Sequence, residues 1–471
     1  MSKINNLRDP GRARITRHCL LAAVLCACVY VYSRGTPVTA PAAPLSETYA
    51  VRFAAADKFD WYKLPPSETL EWVRCYEEPF QCARLEVPLD YAKPHGQKAA
   101  VALIKYPAKY PVGHEKWRGP ILFNPGGPGE SGVETVHSIG MNVSKIIGDE
   151  YDMIGFDPRG VVDAENYYSG AWDNNLMDTD KELTTLFDSC AASSSCPLHE
   201  KTGELVSQRL DAILERLKTE PIAVRNGSTY GIVDYALAHE RIFRALYKPV
   251  TSLPPLFAAF AEVESGNGQP LYALAELHPS SWRCDCTDAP ESVEETTVAI
   301  ACGDADVVNH DLHQLKKHYA NMARLSSFAD MWTAHAHAWK VRPVERYNGP
   351  FGGNTSFPVL FIGNTADPVT PLWAAKKMAK GFKDAVVLTQ NSPGHCSIAA
   401  ASLCTAKYIR AYFRDGTLPA QGTVCEDNED VFPPDEKVTD ELPVMSTEDR
   451  ELFSAARDLS AGFEVPHFGL V

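Results

Sequence analysis

Two short segments in the C-terminal third of the chain carry residue types that support proton transfer. Asp367 follows the apolar run 357–363, and His395 follows a second run, 385–389. A histidine can take a proton from a nucleophile and return it to a leaving group, while a carboxylate fixes its tautomer. The order of the two residues, each just past a predicted strand, predicts a catalytic pair within hydrogen-bond reach. The alternative is a turn aspartate that only caps a helix, beside an unrelated histidine.

The nucleophile that such a pair would serve is not found in the sequence. A serine on a strand–turn–helix elbow is marked by the pattern G-x-S-x-G, which the chain does not contain. Thr229 occupies the nucleophile position of a similar segment, but its methyl group would crowd the strained turn. That segment also overlaps the glycosylation sequon of Asn226, which favours a turn in a lid. Ser131 belongs to a glycine-rich loop, so no nucleophile is assigned.

This glycine-rich loop could stabilise a developing negative charge. Gly126 and Gly127 follow the apolar run 119–122, where bare backbone N–H groups can donate to an oxyanion. Residues 151–160 then predict the next buried strand and its turn.

Together these segments resemble the secreted serine aminopeptidases of the α/β-hydrolase fold, the proline iminopeptidase and tripeptidyl aminopeptidase group. The matching segments are 82–91, 124–129, 157–160 and those that contain Asp367 and His395. The resemblance implies an α/β fold with a mostly parallel sheet and an inserted helical cap. It also implies an acyl-enzyme, a peptide substrate with a free amino terminus and no cofactor. His395 would be the general base, Asp367 its partner, and Gly126 and Gly127 the oxyanion loop.

One block of the family pattern is missing. A segment like 161–163 follows the strand after the nucleophile in this family, but here it directly follows Gly160. Each strand–helix–strand step needs about 30 residues, so two or more steps amount to about 60 to 100 residues. A mis-joined gene model or a skipped exon is the preferred explanation, and the chain as written is expected to lack peptidase activity. Ile154 and Phe361 should then be less covered than a parallel sheet normally allows.

Two other classes of function stay open. An esterase or lipase could use the same scaffold, because a fold does not fix the substrate. A genuinely shortened chain would instead be a non-catalytic binding protein.

The organisation of the chain follows from its composition along the sequence. Amphipathic helical spacing in 205–217 is typical of the middle of the chain, and the apolar run 357–363 predicts a central strand. The predicted segments are a basic N-terminus (1–18), an apolar run (19–32), a linker (33–60), the first part of the hydrolase core (61–160), a helical cap (161–345), the second part of the core (346–425) and an acidic tail (426–471).

The apolar run 19–32 follows a basic stretch and predicts membrane targeting. Its length is typical of a signal-peptide core and short for a spanning helix. The long basic region nevertheless favours an uncleaved anchor with its basic side in the cytoplasm. The catalytic part would then be luminal or extracellular. Cleavage near Ala40, which gives a secreted protein, is the alternative.

Charge and cysteine content agree with an exported protein. A net charge of -15 disfavours a nucleic-acid partner. Three of the 13 cysteines lie in the apolar run, and the others form an even set that suits disulfides. The preferred pairs are Cys75 with Cys82, Cys190 with Cys196, and Cys396 with Cys404.

A metal site is not expected, because the pair Cys284 and Cys286 lacks a second pair at zinc-finger spacing. Candidate glycosylation sites are Asn142, Asn226 and Asn354.

Overall fold

A computed structural model describes residues 59–127, 129–157, 174–226, 229–276, 299–303, 311–331, 341, 343, 346, 349–435 and 445–463. The predicted anchor 19–32, the junction after Gly160, and the pair Cys284 and Cys286 lie outside these residues. Among the residues that are described, no helix is both long and apolar enough to cross a membrane. The predicted segment boundaries stay predictions.

The first sheet contains five strands in the order β1-β2-β3-β5-β4. Its strands are Val73–Arg74 (β1), Gln81–Pro88 (β2), Lys98–Tyr106 (β3), Gly119–Phe123 (β4) and Tyr151–Phe156 (β5). Neighbours from β1 to β5 pair antiparallel, and only β4 and β5 pair in parallel. Strand β5 is apolar almost throughout, as expected for a strand inside a sheet.

The second sheet contains three parallel strands in the order β10-β9-β8. They are Leu360–Ala366 (β8), Val386–Pro393 (β9) and Val424–Glu426 (β10). Helices and strands thus form an α/β fold, and that prediction is confirmed. The expectation of a mostly parallel sheet is wrong for the described strands, because the hairpin from β2 to β3 brings antiparallel pairing to the first sheet.

Strands β4 and β8 each lie at an edge of their own sheet. On β4 the side chain of Leu122 is 66% exposed, which is unusual for an apolar strand residue. Ile154 is buried at 7%, so the expectation for it was wrong: β5 lies between β3 and β4, and the exposure falls on the edge strand instead. Phe361 is half-buried and packs against the ring of Phe382.

A helical segment with its own core lies between the two sheets in the sequence. It comprises Thr179–Ala191 (α2), Gly203–Thr219 (α3), the hairpin Ile222–Asn226 and Thr229–Val233 (β6 and β7), Tyr235–Tyr247 (α4), Pro249–Glu264 (α5), Gln269–Glu276 (α6) and Leu312–Met322 (α7). In α3 the buried residues include Val206, Leu210, Ile213 and Leu217, at the spacing that predicted an amphipathic helix. Side chains of Thr202 and Asp234 cap α3 and α4.

Four more α-helices flank these elements: Gly132–Ile147 (α1), Leu372–Ala379 (α8), Leu403–Asp415 (α9) and Thr447–Gly462 (α10). Helix α1 packs on β3 and β5, and also on α9 and α10. Helix α9 connects the two halves: Arg410 donates to the carbonyl of Ile146 at 3.0 Å, and Tyr151 donates to that of Phe413 at 2.6 Å.

The predicted acidic tail therefore contains a packed helix. Residues of α10 such as Leu452, Ala455 and Leu459 are buried at helical spacing, although acidic residues surround them. An acidic composition alone did not indicate this apolar stripe.

Disulfides follow two of the three expected pairs. Cys75 pairs with Cys82 and Cys190 with Cys196, but Cys404 pairs with Cys425. The expected pair of Cys396 with Cys404 is wrong, because Cys404 begins α9 beside β10 while Cys396 lies in the His395 turn.

Candidate active site

Asp367 follows directly after β8 and organises the turn into α8. Its Oδ1 accepts hydrogen bonds from the backbone N–H groups of Val369 at 3.0 Å and Thr370 at 2.8 Å. The side chain is 2% exposed. Asp367 therefore stabilises a turn, as the alternative interpretation expects. The same carboxylate also contacts a histidine, so the two interpretations hold together.

His395 follows β9 through a turn that requires glycine. Gly394 has a φ of 102°, and a Cβ there would lie 2.5 Å from that of Ala399. The turn brings Nδ1 of His395 to 3.2 Å from both carboxylate oxygens of Asp367. The predicted contact between Asp367 and His395 is confirmed as geometry, while their catalytic roles stay a prediction.

Two further donors fix the second carboxylate oxygen. Oδ2 of Asp367 accepts from the Thr370 hydroxyl and from the Cys396 N–H, each at 2.8 Å. The Thr370 hydroxyl also lies 3.2 Å from Nδ1 of His395. The sequence analysis did not identify Thr370. Its position, three residues after the aspartate and directly before Pro371, could have indicated that its hydroxyl contacts the carboxylate.

Asp367 is held in its charged form. Burial raises its pKa, but the charge and hydrogen bond of His395 and the backbone N–H groups of Cys396 and Thr370 together lower it below the usual range. An ionised carboxylate only accepts hydrogen bonds, so Nδ1 of His395 must carry the proton. Nε2 is then available as a base.

No nucleophile reaches this base in the described ranges. None of their serine, threonine or cysteine side chains forms a hydrogen bond with Nε2 of His395. The neighbouring Cys396 has a free thiol. Burial, and then the charge of Asp367, raises the pKa of this thiol to about 12, so it is not a ready thiolate.

Both glycines of the predicted oxyanion loop have positive φ, and the role of the loop stays a prediction. Gly126 and Gly127 have φ values of 90° and 110°. The N–H of Gly126 donates to the side chain of Asn124 at 2.9 Å. Ser131 caps α1, since its Oγ accepts from Glu134 N–H and donates to Asp157 at 2.7 Å. This serine is therefore used as a helix cap.

Thr229 lies in a different environment from an elbow nucleophile. It begins β7 and pairs antiparallel with Asn226, so the segment is a β-hairpin without a following elbow. The hairpin agrees with the preferred interpretation as a turn.

The candidate glycosylation sites differ in their surroundings. Asn354 is exposed in a loop, whereas Asn142 lies within α1 and its sequon residue Ser144 is buried. Asn142 thus lies on a helix and not in a loop. Modification of Asn142, Asn226 and Asn354 stays a prediction.

Two buried side chains that sequence reasoning missed surround the pair. Tyr247, at the end of α4, packs edge-on against the ring of His395. Burial, and then the charge of Asp367, raises its pKa well above the usual value, and Glu130 of the glycine-rich loop adds to this. Glu182 of α2 is fully buried, and burial followed by Asp367 raises its pKa well above the usual range. Neither residue has a sequence motif that would reveal these contacts.

Comparison with known proteins identifies relatives over limited segments. Residues 325–425, which contain both Asp367 and His395, match the TAP-like protein family of abhydrolases. Serine protease Hip1 of Mycobacterium tuberculosis (strain ATCC 25618 / H37Rv) is 36% identical over 122 residues, 24% of this chain and 22% of the relative. The tripeptidyl aminopeptidase of Streptomyces coelicolor is 35% identical over 107 residues, 20% of this chain and 18% of the relative.

An esterase by name is also among the relatives. Carboxylesterase B of Mycobacterium tuberculosis is 42% identical over 82 residues, 17% of this chain and 15% of the relative. The chain thus matches between 15% and 22% of the length of these relatives. These matches agree with the resemblance inferred from the sequence: residues 325–425 are similar to TAP-like proteins, and part of the chain is similar to a serine protease and a tripeptidyl aminopeptidase.

Proposed function

We propose that the complete form of this protein is an exported serine exopeptidase that releases short peptides or single residues from peptide amino termini. The observation that carries the proposal is the contact between buried Asp367 and half-buried His395, which lie at two strand ends within the segment that matches the TAP-like family. Related proteins named serine protease and tripeptidyl aminopeptidase support a peptide substrate.

The proposed reaction assigns one step to each group. Nε2 of His395 takes the proton from a serine hydroxyl while the serine oxygen attacks the scissile carbonyl carbon. N–H groups of the loop with Gly126 and Gly127 stabilise the resulting oxyanion. His395 then gives the proton to the leaving amine, and water repeats the sequence to release the acyl group. Asp367 holds the imidazole and stabilises its positive charge throughout.

We further propose that the serine belongs to a block missing between Gly160 and Val161. Three observations support this: β4 and β8 are edge strands, Leu122 is exposed on β4, and no described side chain serves as nucleophile to His395. In the order of strands, the missing block would fill the space between β4 and β8. The helical segment α2 to α7 would then be the cap over the completed site.

The test is to sequence the mature transcript and to express both forms. A transcript that encodes an extra segment with G-x-S-x-G at this junction should give a protein that cleaves amino-terminal peptide substrates. The form without the block should be at least about 10⁶-fold slower, as when a triad serine is removed. His395→Ala in the long form is the matched control and should lose activity by a similar factor. A transcript that reads directly from Gly160 to Val161, with a stable product that still releases amino-terminal peptides, would overturn the proposal.

A second candidate function is an esterase on the same scaffold. The similarity to carboxylesterase B favours it. Parallel panels of peptide and ester substrates on the long form separate the two, since an esterase should leave peptides with a free amino terminus intact. A protein confirmed to be short and inactive on both panels would instead favour a binding role.

The membrane location is a separate proposal. We propose that the apolar run 19–32 anchors the protein with its catalytic part luminal or extracellular. An anchored protein resists carbonate extraction and keeps its N-terminal segment. Recovery of a soluble form that begins near Pro41 would favour a cleaved signal and a secreted protein.

A further inference from the structure

The junction between α4 and α5 contacts the turn that carries His395. The backbone N–H of His395 donates to the carbonyl of Tyr247 at 3.1 Å. A Cβ on Gly394 would lie 2.9 Å from Cδ of Pro249 and 3.3 Å from the Tyr247 carbonyl, so these two segments of the backbone are in close contact. The His395 turn therefore rests against the helical segment.

The side chain of Tyr247 extends this contact to the imidazole itself. Its ring is 1% exposed, and its centroid lies 5.1 Å from that of His395 at an interplanar angle of 68°. This is the edge-to-face arrangement that aromatic rings favour. Phe243, one turn earlier on α4, packs against Tyr247 at 5.9 Å and helps to hold it.

The junction is also anchored on its other side. Lys248 donates to the carbonyl of Ala461 at 3.3 Å and to that of Phe463 at 2.5 Å, at the end of α10. Lys248 is 8% exposed, so these bonds are shielded from water. Tyr247 thus projects from a backbone that is fixed both to the His395 turn and to the C-terminal helix.

The hydrogen bonds to Asp367 do not fix the rotation of the imidazole about its terminal side-chain torsion. Nδ1 of His395 lies 3.2 Å from Oδ1, from Oδ2 and from the Thr370 hydroxyl, so no single partner sets the ring plane. The terminal torsion of a histidine side chain has a broad preference. Contact with the fixed ring of Tyr247 removes that freedom.

We infer that Tyr247 is a positioning residue that sets the plane of the His395 imidazole and hence the direction of Nε2. The inference rests on the proposed function for its catalytic meaning, but its structural content is independent of hydrolysis. It makes the helical segment part of the catalytic geometry, since the orientation of the base depends on the end of α4.

The test uses the full chain labelled with ¹⁵N-histidine and observed by NMR, with His395→Gln to assign the His395 signals. Tyr247→Phe keeps the ring and should preserve the single Nδ1–H tautomer pattern and the ring-proton shifts of His395. Tyr247→Leu removes the ring and should broaden the ring-proton signals of His395, because the imidazole plane becomes free, while Asp367 keeps the proton on Nδ1. Phe257→Leu is the matched control, because Phe257 is a fully buried ring of the same core that packs on Phe187 and Phe432.

If Tyr247→Leu fails to fold by circular dichroism, Tyr247→Met replaces it with a flexible side chain of similar volume. A folded Leu or Met variant whose His395 signals change no more than those of Phe257→Leu would overturn the inference.

In the long form, loss of the ring should lower kcat by about tenfold to a hundredfold with KM nearly unchanged, because a displaced base affects the chemical step. An equal loss in Phe257→Leu would indicate a merely structural role. If no form hydrolyses any substrate, the proposed function fails, while the NMR comparison still decides the role of Tyr247.

Discussion

Both carboxylate oxygens of Asp367 accept two hydrogen bonds, so one side chain can stabilise a turn and also position the histidine. Oδ1 accepts two backbone N–H groups, while Oδ2 accepts the Cys396 N–H and the Thr370 hydroxyl. All of these donors favour the charged form. Donors from its own turn and from the His395 turn, together with His395 itself, thus set the charge and orientation of the carboxylate.

Replacing Asp367 by asparagine should destabilise the protein strongly near neutral pH. The amide would direct N–H groups at backbone donors, and breaking a buried pair costs about 3 to 5 kcal/mol. Urea denaturation measures the change. Asp415→Asn is the control, since Asp415 makes comparable contacts to Thr417 in full solvent and should lose little.

The stability difference between wild type and Asp367→Asn should depend on pH in a defined way. The pKa of Asp367 is lower when folded, so its stabilisation is complete above the ordinary value of 3.8 and is lost as pH falls through the folded value. The difference between wild type and Asp367→Asn should therefore shrink only in acid below that ordinary value. A difference that already disappears between pH 7 and pH 5 would contradict the assignment.

Glu182 should have the opposite pH dependence. Its side chain is fully buried, and neither carboxylate oxygen has a hydrogen-bond partner among the residues described. Burial, and then the charge of Asp367, raises its pKa well above 4.5. Because the folded pKa is raised, stability is complete below about 4.5 and declines as pH rises toward the folded pKa.

Glu182→Gln should remove this decline. Relative to wild type, the variant should gain about 1.4 kcal/mol of unfolding free energy for each pH unit above the unfolded pKa, until the folded pKa is reached. Parallel denaturation curves between pH 4 and pH 8 measure the slope, whatever offset the amide introduces. Equal slopes for the two proteins would mean that Glu182 is ionised in the folded state.

Among single residues, the sequence predicts the site residues that lie at strand ends. It does not predict the residues that only the tertiary fold brings to the site. Asp367 and His395 could be found because each follows an apolar run and their order matches a known chemistry. Tyr247 and Glu182 could not, because they come from helices distant in the sequence. Cys396 and Cys404 were paired wrongly since nearness in sequence says nothing of the direction of the side chains.

Among the elements, the turn between β9 and α9 depends most on a single residue. Gly394 has a positive φ, and any side chain there would overlap Ala399 and Pro249. This turn carries His395, so the local backbone conformation and the site geometry are inseparable. The N–H of Gly394 also donates to the Ala366 carbonyl at 3.0 Å, which fixes the turn to the end of β8.

Gly394→Ala should destabilise the protein by about 3 kcal/mol or more, from backbone strain of about 1 to 2 kcal/mol together with steric overlap. Gly416→Ala is the control, because Gly416 ends α9 at a φ of 77° with open space around it. It should lose only the backbone part. Thermal or urea unfolding of both variants tests this, and equal losses would exclude the packing contribution.

Elements were predictable where apolar spacing was strong, as in α3 and β8. Helix α10 was not, because its buried residues are separated by acidic and small ones. The antiparallel pairing of β2 and β3 depends on a turn between them that the hydrophobic pattern does not specify.

At the scale of the whole molecule, β4 and β8 are the last strands of their sheets among the residues described. An exposed edge strand with an apolar side chain is a template for pairing with another chain. Strand β4 has such an edge, and Leu122 is its most exposed apolar residue. The whole-molecule topology was the least predictable level, because the sequence indicated the break near Gly160 but not how the remaining strands would arrange.

The chain as written should therefore self-associate with rising concentration, and Leu122→Lys should reduce this. Sedimentation velocity at several concentrations measures the effect. Leu89→Lys is the control, since Leu89 is also exposed but lies just after β2, away from the open edge. Equal association of wild type and Leu122→Lys would show that the β4 edge is not responsible.

Helix α9 has a consequence for the fate of the protein in a cell. Hydrogen bonds attach it to α1 and β5, and the Cys404–Cys425 disulfide attaches it to β10 of the second sheet. A product that lacks central strands would thus keep a cooperative framework, and proteases act mainly on the fraction of molecules that opens.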